Sequence, residues 1–158
     1  MSLSDAFIDE NGKRVVRLFE EILSDLPAGV AVLEARRALD GSGTIVSLTP
    51  SCKTAATFTA HTDDRLNLID IGMGYTTFEL PWEGGLPNDA SFDLLLERAK
   101  EMCLAVVAGR CEHRFGFLGI RGTIRVDETK TYRVTDYFHL RLNPKVVRYA
   151  PYNPAQSE

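Results

Sequence analysis

The local signatures of chemistry are missing from this chain. There is no GxSxG elbow, no HExxH pair and no GxxxxGK phosphate loop, which removes the hydrolase, zincin and nucleotide motifs that can be read from one stretch of sequence. Cysteine is scarce: Cys52, Cys103 and Cys111 make an odd number without CxxC spacing. Such a set argues against a disulfide scaffold and for reduced thiols in a cytoplasmic protein. No window approaches the ~20 apolar residues of a membrane-spanning helix, and the N-terminus lacks a basic segment followed by an apolar stretch. A cytosolic protein with no membrane partner is the expectation. Low-complexity tracts and internal repeats are absent too, so disorder is expected only at the ends.

What is present is ordinary in bulk and uneven in detail. The 158 residues are 44% hydrophobic and 25% charged, enough for a single globular domain spanning 1–158. A chain of this size buries roughly 70% of its unfolded surface in one core. The net charge of −4 argues against a protein that grips nucleic acid by bulk electrostatics. Residues 1–100 nevertheless carry −7 and residues 101–158 carry +3. An acidic half that simply covers or neighbours the basic one would account for this polarity.

Helical spacing of Val15, Phe19, Ile22, Leu23 and Leu26 predicts a helix over 13–26, ended by Pro27 and Gly29. A second helix follows from the apolar stripe Phe92, Leu95, Leu96, Ala99, Met102, Cys103, Val106 and Val107, with Ser91 as N-cap and Gly109 as its stop. Between them, stretches rich in Val, Ile, Thr and Phe predict strands at about 30–38, 44–49, 55–61, 66–71 and 75–80. Asp40–Gly43 and Thr62–Asp64 read as turns. Because short turns dominate and no strand-helix-strand unit repeats, the expected fold class is α+β. It would be a mainly antiparallel, curved sheet of about six to eight strands with two helices packed on one face. The tail 143–158, with Pro144, Pro151 and Pro154, is expected to run extended along the surface, partly ordered by Tyr149 and Tyr152.

The most informative pattern is period-two alternation near the C-terminus, where successive strand side chains point to opposite faces. Cys111, His113, Phe115 and Phe117 share one side against Arg110, Glu112 and Arg114. Ile120, Gly122, Ile124 and Val126 share one side against Arg121, Thr123, Arg125 and Asp127. In a third strand Tyr132, Val134, Phe138, Leu140 and Leu142 alternate with Arg133, Thr135, Tyr137, His139 and Arg141, and Asp136 interrupts the apolar side. One face is a core and the other carries six arginines. A turn at Leu118–Gly119 predicts Glu112 opposite Arg125 and Arg110 opposite Asp127. That register avoids setting Arg114 against Arg121, which would cost about 0.2–1 kcal/mol. The turn would ask for a positive φ at Leu118, so a longer loop with a bulge at Gly119 is the other option.

An arginine face can be a solvated surface neutralised by neighbouring acids. It can equally bind anions, since guanidinium forks match carboxylates and phosphates. The only tryptophan, Trp82, lies in a loop from Leu80 to Pro87, where it either anchors an interface or caps a core edge. Metal binding is disfavoured, because Cys111 and His113 point away from His139, while His61, Asp63 and Asp64 read as a hairpin turn. Cys52, whose thiol pKa Lys53 could lower, and the Glu79–Glu83 pair are too isolated to define a nucleophile with its base.

The leading expectation is a small interaction protein without a cofactor, of the bacterial adaptor, chaperone or toxin-neutralising type, rather than an enzyme. It would bind an acidic protein through Arg114, Arg121, Arg125, Arg133 and Arg141, or through Trp82. A second expectation is a pocket for a small anionic ligand between the sheet and helix 91–108, lined by Cys111, His113 and Asp136, because polar groups on an apolar face need partners. Exposed sheet edges also leave a homodimer open.

Overall fold

A computed structural model describes residues 8–63, 66–136, 143–153 and 155. Helix α1, Glu10–Ser24, begins earlier than apolar spacing indicates, because the Asp9 side chain caps it by accepting from the Gly12 N–H at 3.1 Å. Five strands follow: β1 Ala31–Arg37, β2 Gly43–Pro50, β3 Phe58–Asp63, β4 Ile69–Met73 and β5 Thr76–Leu80. Each pairs antiparallel with the next, giving a sheet of order β1-β2-β3-β4-β5. Thr62 and Asp63 thus lie in β3 rather than in a turn. Helix α2, Phe92–Val107, starts at the expected Ser91 cap. It stops at Gly109, whose φ of +72° suits glycine, where Gly109 N–H donates to Val106 O and Arg110 N–H to Ala105 O.

The last four strands are β6 Cys111–Phe115, β7 Ile120–Arg125, β8 Thr131–Asp136 and β9 Lys145–Arg148. They make a second antiparallel sheet of order β8-β7-β6-β9. The fold is therefore α+β and antiparallel, as expected, but built from two sheets totalling nine described strands instead of one sheet of six to eight. β9 lies within the tail expected to run extended, and it adds a pairing that the expectation did not include: Lys145–Arg148 pairs with β6, His113 facing Val147.

Alternation buries one face of each strand. Val46, Leu48, Phe58, Ala60, Ile69, Ile71 and Phe78 meet Phe19 of α1 and Leu95, Ala99, Met102 and Val106 of α2, all fully buried in one apolar cluster. The Phe19 and Phe58 rings sit 5.6 Å apart. Both helices pack on the first sheet, α2 also reaches β7, and β5 packs against β7 and β8. At that junction Thr76 fills the space over Gly122, where an added Cβ would come within 2.2 Å of its hydroxyl oxygen. No helix among the described residues is long and apolar enough to cross a membrane.

Candidate functional site

The hairpin β6–β7 sets the arginine face. Its register pairs Glu112 with Thr123, Arg114 with Arg121 and Phe115 with Ile120. This overturns the expected pairing of Glu112 with Arg125 and is the like-charge alternative that sequence reasoning disfavours. The turn explains it. Phe117 and Leu118 form the tip, closed by Gly116 N–H donating to Gly119 O at 2.8 Å, and no non-glycine residue among the described residues takes a positive φ. Moving the tip back by one residue shifts the pairing by two, which keeps every side chain on its face. The Arg114–Arg121 contact is relieved by Glu112, whose carboxylate accepts from Arg114 Nε at 2.8 Å and from Arg148 Nε at 3.4 Å. The Arg114 hydrogen bond, helped by Arg148 and outweighing partial burial, holds the Glu112 carboxyl below its usual range.

Two cross-strand rows define the outer face. One runs Arg133, Thr123, Glu112, Arg148; the other runs Thr135, Arg121, Arg114, Val146. Arg125 N–H donates to Arg110 O at 2.8 Å, which extends the ladder by one more arginine pair. Arg110, Arg114, Arg121, Arg125, Arg133 and Arg148 are all exposed. Among the described residues, Glu112 alone forms ion pairs with them, to Arg114 and Arg148. Asp127, expected to face Arg110, instead caps the β7–β8 turn, where its Oδ1 accepts from Thr129 N at 2.7 Å and Lys130 N at 2.8 Å. An open depression of about 410 Å³ lies between Arg110, Arg114, Arg125 and Arg148. Arg141 lies outside the described residues. Arg148 joins the face through β9, a residue that sequence reasoning left in the tail; the pair Val146–Val147 between Pro144 and Pro151 is the signal for that short strand.

The alternative pocket residues are dispersed. His113 is fully buried, with Nε2 2.9 Å from Thr76 Oγ1 and Nδ1 2.7 Å from Tyr149 Oη. Burial lowers its pKa to about 4, against a weaker upward pull from the Met73 backbone. Burial also pushes the Cys111 thiol up to about 12. Asp136 faces Ile120, which in turn faces Phe115, so it stands two strands from β6, roughly 10 Å away. The space between sheet and α2 is filled by buried Leu95, Ala99, Met102 and Val106.

Other flagged residues lie apart from the face. Trp82 is 54% exposed in the loop after β5. His61 Nδ1 lies 3.7 Å from Asp70 Oδ2 on the outer side of the first sheet, and His139 is outside the described residues. Burial, with neighbouring carboxylates adding to it, raises Asp70 and Glu79. Glu83 accepts from the Glu79 N–H at 2.8 Å. Among the described residues no group of three His, Cys, Asp or Glu side chains is arranged to hold a metal ion. The Cys52 thiol is lowered by hydrogen bonds from Thr54, not by Lys53. All three cysteines are free. No protein-family model, curated protein or solved structure matches this chain.

Proposed function

We propose that this is a small cytosolic interaction protein that captures an acidic protein partner on the outer face of its second sheet. The observation that carries the reading is the exposed set of six arginines with Glu112 as their one described ion-pair partner. Guanidinium groups suit this task because each presents a planar, permanently charged fork to a carboxylate. Thr123 and Glu112 separate the arginines of one row, and Thr135 and Val146 flank those of the other, so those rows offer no ring on which bases could stack. The net charge of −4 also disfavours a polyphosphate chain.

The test is capture from native lysate by the immobilised protein, with and without nuclease treatment, beside the double variant Arg121→Glu/Arg125→Glu. Acidic proteins should be retained by the wild type, released by salt, lost with the variant and indifferent to nuclease. Capture that survives the double variant, or that vanishes with nuclease, would overturn this function.

A further inference from the structure

At the tip of the β6–β7 hairpin, Phe117 and Leu118 are 63% and 65% exposed. Alternation along β6 would turn Phe117 inward with His113 and Phe115, but the strand ends at Phe115 and the tip carries both side chains into solvent. Single exposed apolar residues are common and need no explanation. Here two large ones adjoin on a tight turn, and they sit beside cations. An open depression of about 260 Å³ is lined by Arg114, Phe115, Leu118, Arg121 and Thr135. Val146, 48% exposed, continues the apolar surface on the same face, directly across from Arg114.

Apolar anchors rimmed by charge are the usual makeup of a protein-binding hot spot. Resting on the proposal of an acidic protein partner, we infer that the partner's contact segment is an acidic peptide carrying a large apolar side chain between carboxylates. The apolar group enters the depression at Leu118, and the flanking carboxylates engage Arg114 and Arg121. A nucleic acid fits less well. Stacking platforms use successive aromatic rings, whereas Phe117 is the one exposed ring at this tip, and the two arginine rows have none among the described residues.

The test is binding of three labelled probes by fluorescence anisotropy: a glutamate-rich peptide with one central leucine, the same peptide with serine there, and an oligothymidylate. The leucine peptide should bind on the order of tenfold tighter than the serine peptide. Phe117→Ser/Leu118→Ser should erase that preference while leaving the serine peptide bound, with an unchanged urea-unfolding midpoint as the check on folding. Arg121→Glu/Arg125→Glu should abolish both. Equal binding of the two peptides to the wild type overturns the apolar anchor and leaves the arginine reading standing. Failure of both peptides overturns the two together, and preference for the oligothymidylate overturns them in favour of a nucleic-acid site.

Discussion

His113 is a basic side chain held neutral inside a core, and its surroundings decide what happens when it is asked to charge. Tyr149 and Thr76 occupy both ring nitrogens, Tyr75 packs edge-on at 5.7 Å, and no carboxylate contacts the ring among the described residues. The folded protein keeps the ring neutral down to a pKa of about 4, whereas an unfolded histidine protonates near the ordinary 6.5. The unfolded state therefore binds more protons between these values. Stability from this site is complete above about pH 6.5 and is lost as pH falls toward 4, by about 2 kcal/mol between pH 7 and pH 5. Urea unfolding at the two pH values should give a steeper loss for the wild type than for His113→Gln; parallel losses would sink the assignment. The histidine stands out in the sequence as a polar residue on an apolar strand face. Its partners do not, because Thr76 and Tyr149 lie 37 and 36 residues away: Thr76 meets it only once the two sheets pack, and Tyr149 only once β9 pairs with β6.

Among the elements, legibility follows length and punctuation. Helix α2 is plain because its stripe runs unbroken from Phe92 to Val107 between a Ser91 cap and Gly109. The β6–β7 register is not, because a glycine on each side of Phe117–Leu118 lets the tip form at either of two places, and cross-strand charge alone points to the wrong one. β9 hides for a different reason: four residues between prolines are too few to reveal a period. What fastens this strand is tertiary. Four residues beyond it, Tyr152 is 1% exposed, and its hydroxyl donates to Leu48 O at 3.0 Å and Ala56 O at 2.8 Å. Tyr152→Phe keeps the ring and strips the donor from two buried carbonyls, so it should lower stability by about 1–2 kcal/mol in urea unfolding. An unchanged midpoint would mean that those carbonyls find other donors and that the ring alone secures the tail.

At the scale of the whole molecule, composition reveals a basic half and an acidic half but not where the fold would lay them. Strand order decides that, and it gathers the arginines onto the outer face of one sheet, with the Arg114–Arg121 pair directly across from each other. A like-charge pair in this position costs about 0.2–1 kcal/mol, and Glu112 offsets only part of the crowding because it also serves Arg148. Arg121→Glu would set a carboxylate opposite Arg114. The fold should then gain up to about 1 kcal/mol at low ionic strength, and the gain should shrink in high salt as the charges are screened. The same substitution should weaken capture of acidic protein. Opposite signs for stability and binding are the expected mark of a surface maintained for a partner, since a fold serving only its own stability has no use for like charges set directly across from each other. If Arg121→Glu instead destabilises the protein, the arginines are serving the sheet itself, and the physical argument for an acidic partner loses its footing.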